Sequence, residues 1–150
     1  MRELQRLTMH TIVRRLEWDA AHRVLRHESK CSTLHGHRYV AEIECTAAKL
    51  DPVGRVIDFG AVKEVVGAWI DENWDHTTLI NQEDYALRSF CEREARDNKR
   101  KPFIFTGEPT AENIAKKLHA VASTLLENQG IEVVSVTVWE TPNCRARFQL

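Results

Sequence analysis

The heptapeptide Cys31-Ser32-Thr33-Leu34-His35-Gly36-His37 leads into the strand around which this chain is organised. Residues two apart on a strand point to the same face, so His35 and His37 would project side by side, as two ligands of one metal ion do. Gly36 has no side chain, which lets another backbone approach the opposite face. Cys31 would lie one short loop away, beside the metal but not necessarily bound to it. A polar turn with two chance histidines is the competing interpretation of the triplet alone.

Length, composition and charge favour one soluble domain spanning residues 1–150. The chain has 43% hydrophobic and 29% charged residues and a net charge of -1, so no overall basic field attracts nucleic acid or an anionic membrane. It contains no apolar run of the ~20 residues that a membrane helix needs. The N-terminus does not resemble a secretion signal, and the cysteines form no CxxC pair. We therefore expect reduced thiols and a cytoplasmic protein.

A durable zinc site needs a third ligand besides the two imidazoles of the heptapeptide. His22 follows a strand predicted over residues 8–21, which could pair antiparallel with the strand that begins at His37. This pairing would bring His22 close to His35 and His37, and three neutral histidines with one open position are typical of catalytic zinc. Iron or cobalt stays open, because imidazole suits several transition metals. Three further histidines fit no such pattern and are predicted to be non-functional: His10, His27 and His119.

Hydrophobic periodicity predicts three further strands and two helices. The second strand spans residues 37–47, and its alternation predicts one inward face: Tyr39, Ala41, Ile43 and Cys45. The β-branched run at 131–140 predicts a third strand, and residues 146–150 a short fourth. Hairpin strands on either side of consecutive helices predict an α+β fold, with an antiparallel sheet and the helices packed on one of its faces.

Each predicted helix has a start signal and an apolar stripe. Asp58 is the expected N-cap of the first, whose stripe is Phe59, Val62, Val65, Val66, Trp69 and Ile70. The second begins near Thr110 and stops at Gly130, with a stripe of Ile114, Leu118, Val121 and Leu125. Residues 81–109 are predicted to be a charged connection, with a helical turn or two within 88–101.

Three groups outside the histidine pattern could take part in chemistry. Cys31 would be a reactive thiol if a nearby metal or imidazolium lowers its pKa. Asp75 and His76 form a possible proton-transfer pair, although a helix-terminal histidine with a solvated neighbour explains them equally well. Glu140 ends the strongest predicted strand, where a carboxylate is unexpected unless it is exposed or paired with a ligand.

Six motifs in one order carry a resemblance that covers nearly the whole chain. They are AAHR at 20–23, CSTLHGH at 31–37, IDFGAVK at 57–63, WDHTTL at 74–79, PTAEN at 109–113 and WET at 139–141. Together they resemble the 6-pyruvoyltetrahydropterin synthase family and, within it, the bacterial branch that forms 6-carboxytetrahydropterin for queuosine biosynthesis. The three residues between Cys31 and His35 match that branch, because the pyruvoyl-forming animal enzymes have more. A further branch has a glutamate in place of this cysteine.

The resemblance implies a role for each of these residues. Zinc (Zn2+) would be bound by His22, His35 and His37, and Cys31 would accept a proton from the substrate's side chain. The other implied roles are a proton relay by His76 oriented by Asp75, an anchor for the pterin ring at Glu140, and a further pterin contact at Thr110.

The resemblance also implies a reaction, a fold and an assembly. The reaction converts 7,8-dihydroneopterin triphosphate to 6-carboxy-5,6,7,8-tetrahydropterin, with loss of triphosphate and acetaldehyde. The fold would be the T-fold, an antiparallel four-stranded sheet with two helices on one face. Subunits would form a homohexamer, a dimer of trimers, with active sites at subunit interfaces. A 6-pyruvoyltetrahydropterin synthase, an aldolase-like cleavage and a non-catalytic zinc or pterin binder are the alternatives. The stretch 82–108 is longer than the corresponding stretch in compact members of the family. It could cover the site, extend a subunit contact or be inert.

Overall fold

The two strands predicted to carry the histidines form the centre of a six-stranded sheet. The computed structural model describes residues 9–97 and 100–150. The strand order across the sheet is β4-β3-β1-β2-β5-β6. In chain order the strands are β1 (Thr11–His22), β2 (His35–Ala47), β3 (Thr77–Asn81), β4 (Phe103–Phe105), β5 (Ile131–Thr141) and β6 (Cys144–Gln149). The N-terminal end of the predicted first strand, Thr8, lies outside the described residues.

β1 pairs antiparallel with β2 over the full length of β1. The register places Thr11 opposite Thr46 at one end and His22 opposite His35 at the other. The predicted inward face of β2 is buried from Tyr39 to Cys45, and the matching side chains of β1 are also buried: Leu16, Trp18 and Ala20. Alternation therefore predicted both the core face and the face on which the histidines lie.

The sheet differs from the prediction in its number of strands. The four predicted strands are β1, β2, β5 and β6, and these pair antiparallel as expected. Two more strands, β3 and β4, extend the sheet beyond β1 in parallel and make it mixed. Four of the five residues of β3 are buried, so the strand has no polar and apolar alternation by which the sequence could reveal it.

The first helix follows Asp58, as predicted. The Asp58 carboxylate accepts a hydrogen bond from the Gly60 N–H at 2.7 Å. It runs as α1 (Phe59–Val62), a π-helical turn (Lys63–Gly67) and α2 (Ala68–Asn73). Val62, Val66 and Ile70 are buried against the sheet. Phe59 is 52% exposed, which corrects its place in the predicted stripe, because it lies in the first turn at the edge of the core.

The other long helix is α4 (Ala111–Leu126), which packs on β5, β6 and β2. Its N-cap is Thr110, and Gly130 adopts a φ of 68° in the stop that follows. The predicted stripe is wrong at its C-terminal half, where Val121 and Leu125 are only partly buried. The buried positions there are Ala122 and Leu126. The buried face of this half of the helix therefore lies one position after the predicted one and includes the small side chain of Ala122.

The stretch predicted as a connection contains a regular helix as well as β4. This helix, α3 (Tyr85–Glu94), has Asp84 as its N-cap and contacts β3. It is longer than the turn or two expected, and it begins before residue 88. None of the helices in the described part of the chain has the length and apolar content that crossing a bilayer requires.

Candidate metal centre

The three predicted ligands lie together where β1 ends and β2 begins. His22 is opposite His35 in the antiparallel register, and His37 is opposite Ala20, so all three side chains share the face that carries the core. Each imidazole offers one nitrogen, and these atoms lie within 4.8 Å of one another. Among the described residues, this is the one group of histidine, cysteine or acidic side chains with the geometry of a metal site.

Two backbone carbonyls orient the ring nitrogens of this cluster. The Nδ1 of His22 is 2.7 Å from the Pro109 carbonyl, and the Nδ1 of His35 is 2.6 Å from the Thr33 carbonyl. A carbonyl can only accept, so each Nδ1 donates a proton, and in the neutral ring each Nε2 then presents a lone pair. The Nε2 of His37 is buried with no partner among the described residues. A metal ion fits this donor set, because it would satisfy all three nitrogens.

Burial favours the neutral imidazole, the form that binds a metal, at His22 and His37. Burial lowers the pKa of His22 to about 4, against the opposing effect of the hydrogen bond to Pro109, and the other two imidazoles lower it further. Burial also lowers the pKa of His37, with a contribution from His35. Imidazole ligands suit zinc, copper, iron and nickel.

Glu140 borders the cluster from the far end of β5. Its Oε1 is 3.7 Å from the His22 Nε2, and burial raises the pKa of its carboxyl. The ring of Tyr39 packs edge-on against His22 and His37, with centroids 5.8 and 5.3 Å away, and stacks on Trp18 at 5.2 Å. The site therefore combines three nitrogen donors with one carboxylate next to buried aromatic side chains.

Thr110 lies next to the cluster in sequence, because the residue before it, Pro109, supplies the carbonyl that orients His22. The Thr110 hydroxyl accepts a hydrogen bond from the Asn113 N–H at 3.3 Å and so caps α4. Its contact with a substrate stays a prediction.

Cys31 lies in a single 3-10 turn, Lys30–Ser32, within the loop that joins β1 to β2. Its thiol is partly buried, and its carbonyl accepts a hydrogen bond from the Val24 N–H at 2.9 Å. The loop therefore folds back on the C-terminal end of β1. This places the backbone of Cys31 at the end of the central strands where the histidines lie.

Asp75 and His76 form the predicted pair, with 2.8 Å between the His76 Nδ1 and the Asp75 Oδ2. The other oxygen of Asp75 accepts from the Asp19 N–H at 3.0 Å. Burial opposes, but does not cancel, the lowering of the Asp75 pKa by these two bonds. His76 is 72% exposed and has a φ of 54°, a left-handed conformation rare outside glycine.

His76 borders a cavity that none of the three histidines lines. This cavity of about 410 Å³ is lined by His76, Thr78, Phe90, Cys91, Glu94, Arg100 and Pro102. No hydrogen bond or ion pair between the described residues joins Cys31 to His76. A single chain thus brings the three histidines and Glu140 together, but does not join Cys31 to the proposed relay.

Arg100 is a residue at this cavity that the sequence did not reveal. Its guanidinium donates to the carbonyls of Asp71 and Glu72, in the last turn of α2, and of Asp75, in the turn that follows. It therefore fixes the turn from which Asp75 and His76 project. A lone arginine in a charged stretch has no periodicity or motif by which this contact could be predicted.

Known proteins resemble the chain in both sequence and fold. The profile of the family described as 6-pyruvoyl tetrahydropterin synthase matches residues 11–150. The chain belongs to this family. A protein of Rickettsia conorii named 6-carboxy-5,6,7,8-tetrahydropterin synthase is 43% identical over 132 residues, which are 87% of this chain and 94% of the relative. The protein of the same name from Aquifex aeolicus is 31% identical, over 81% of this chain and 76% of the relative.

Solved structures agree with the family at the level of the fold. An uncharacterized protein from Wolinella succinogenes aligns with a TM-score of 0.80 at 22% identity, over 95% of this chain and 98% of that one. The 6-pyruvoyl tetrahydropterin synthase of Caenorhabditis elegans aligns with a TM-score of 0.67 at 22% identity, over 95% and 96% of the two chains. The T-fold expected from the sequence is therefore confirmed, with the sheet extended here to six strands.

Proposed function

We propose that this member of the 6-pyruvoyl tetrahydropterin synthase family is a zinc-dependent 6-carboxytetrahydropterin synthase of queuosine biosynthesis. It would convert 7,8-dihydroneopterin triphosphate and one water to 6-carboxy-5,6,7,8-tetrahydropterin, acetaldehyde and triphosphate. The observation that carries the proposal is the cluster of three imidazoles bordered by Glu140, of which backbone carbonyls orient two, His22 and His35. The names of the relatives support this choice of product.

Zinc bound by His22, His35 and His37 would supply Lewis-acid polarisation of the hydroxyl groups on the substrate's side chain. Glu140 would anchor the pterin by accepting hydrogen bonds from its amino group and ring N–H. Its position 3.7 Å from a ligand nitrogen supports this role, because the side chain of a pterin held there would reach the metal. Thr110 would contribute a further contact at the start of α4.

Cys31 and the pair of Asp75 and His76 would move the protons. The Cys31 thiolate would accept a proton from the carbon chain of the substrate, and His76 would act as its relay partner. Asp75 supports that role because its carboxylate, 2.8 Å from the His76 Nδ1, fixes the tautomer and leaves Nε2 free for proton transfer.

The missing contact between Cys31 and His76 favours an assembly in which neighbouring subunits complete each site. His76 is largely exposed, and β6 is an outer strand of the sheet with a free edge on which another chain could pair. We therefore retain the homohexamer of two trimers, with active sites at the subunit interfaces, as part of the proposal.

The test is the mass of the product formed by zinc-loaded protein from 7,8-dihydroneopterin triphosphate. Carboxytetrahydropterin with acetaldehyde supports the proposal, whereas a pyruvoyl product would assign the chain to the alternative activity. Cys31→Ala should abolish turnover and keep zinc, and Cys144→Ala, which changes an exposed thiol, should be active. Unchanged substrate with zinc in place would instead indicate a non-catalytic binder.

A further inference from the structure

The Cys31 loop, residues 23–34, is held at the end of the segment 82–108. The carboxylate of Glu108, the last residue of that segment, accepts hydrogen bonds from two consecutive backbone amides of the loop. These are the N–H groups of Leu25 at 2.9 Å and Arg26 at 3.1 Å. A carboxylate that accepts from two adjacent amides makes charge-assisted bonds and fixes the direction of the chain.

The start of the same segment holds the loop through a second contact. Arg23 donates to both oxygens of Asp84 at 2.5 Å, and the Asp84 side chain is only 3% exposed. Asp84 is itself fixed, because it also accepts from the Leu87 N–H at 3.2 Å as the N-cap of α3. Glu83 pairs with Arg26 in addition. Both ends of the segment 82–108 therefore contact one short stretch of the loop.

The anchored stretch is the part of the loop that contacts Cys31. Val24, which lies between the two anchored positions Arg23 and Leu25, donates its N–H to the Cys31 carbonyl at 2.9 Å. The residue after Glu108 is Pro109, whose carbonyl orients His22. Two consecutive residues thus contact both the Cys31 loop and a proposed metal ligand, which links the backbone of the loop to the metal cluster.

We propose that Glu108 and Asp84 are positioning residues that hold Cys31 beside the metal cluster, so that the two ends of the segment 82–108 act as a brace of the active site. The catalytic consequence rests on the proposed function of Cys31, whereas the brace itself rests on the contacts. A brace differs from a lid, because its two ends are anchored to the loop by hydrogen bonds and a nearly buried ion pair.

The experiment compares Glu108→Ala and Glu108→Gln with Glu127→Gln, a control at the exposed end of α4. Hydrogen exchange reports the amides of Leu25 and Arg26, and we expect their protection to fall about tenfold in Glu108→Ala. Alkylation by iodoacetamide, mapped on peptides, should be at least about threefold faster at Cys31, while the exposed Cys144 serves as the internal reference. Glu108→Gln keeps one acceptor oxygen and should give an intermediate result.

Turnover and zinc content complete the test. We expect Glu108→Ala to lower kcat about 10-fold to 100-fold, with a much smaller change in KM and full zinc content. Unchanged hydrogen exchange and alkylation in Glu108→Ala would overturn the brace, because Glu108 would then not hold the loop. A loss of zinc would also overturn it, because the loss of turnover would then result from a displaced His22. A wild type without turnover would overturn the lyase proposal instead, and the exchange and alkylation results would still decide on the brace.

Discussion

The Nε2 atoms of His22 and His35 lie 3.2 Å apart across the pairing of β1 with β2. Each ring has a backbone carbonyl beside its Nδ1, which places the proton of the neutral ring there and leaves a lone pair on each Nε2. Two facing lone pairs at this distance repel each other unless a cation lies between them. The antiparallel register and two carbonyls therefore build the donor set from backbone geometry.

Removal of one imidazole should weaken metal binding without unfolding the protein. We expect His37→Ala to lower zinc affinity by more than about 100-fold, because two ligands remain on an otherwise intact sheet. Metal analysis after dialysis against a weak chelator measures the zinc content. His10→Ala, at an exposed position, is the matched control and should keep one zinc per chain. Equal zinc content in the two variants would contradict the site.

Glu140→Gln should separate substrate binding from metal binding. An amide can accept at one atom only, so the variant loses one of the two bonds expected to the pterin. We predict a decrease in kcat/KM of about 100-fold with full zinc content, measured by steady-state kinetics and metal analysis. Glu132→Gln, an exposed position on the same strand, should leave kcat/KM as in the wild type. An unchanged kcat/KM in Glu140→Gln would remove this residue from the pterin site.

The contact between Arg23 and Asp84 should make stability depend on pH in acid. The hydrogen bond from Arg23 is the main cause that keeps the Asp84 pKa below its ordinary value of 3.8, and burial opposes it. A lowered folded-state pKa gives stability that is present above the unfolded pKa and is lost as the pH falls through the folded value. Asp84→Asn removes that dependence.

We therefore expect the wild type to lose more of its free energy of unfolding than Asp84→Asn as the pH falls below about 4. Urea unfolding at about pH 6 and about pH 3 measures the difference. If the difference in free energy of unfolding between the two proteins is the same at both pH values, the assignment is contradicted. The ion pair would then make no pH-dependent contribution to stability.

Arg100→Ala should loosen the turn that carries Asp75 and His76. The variant loses the guanidinium that caps the end of α2, which we expect to lower stability by about 1 kcal/mol and Tm by about 2–4 °C. Hydrogen exchange at residues 71–76 should become faster. Lys101→Ala, at the next exposed position, is the control. Identical Tm values for the two variants would show that the cap does not stabilise the turn.

Local chemistry allowed the sequence to predict the central hairpin and the ends of the helices. Alternation along residues 37–47 identified the inward face of β2, and a short connection from β1 implied that His22 would approach His35. Asp58 and Gly130 needed only their own side-chain and backbone properties to mark where helical structure starts and stops. These features depend on neighbours within a few residues, which a sequence displays directly.

Contacts between distant segments required the tertiary structure. β3 is buried too evenly to show alternation, and β4 has only three residues, so neither has a periodic pattern. The face of α4 that is buried near its C-terminus, at Ala122 and Leu126, depends on how the helix packs on the sheet. Glu108 meets the amide of Leu25 across 83 positions of the chain, and Arg23 meets Asp84 across 61. Such contacts form because the folded sheet places distant loops next to each other. A pattern within a few neighbouring residues cannot indicate which distant residue will be the partner.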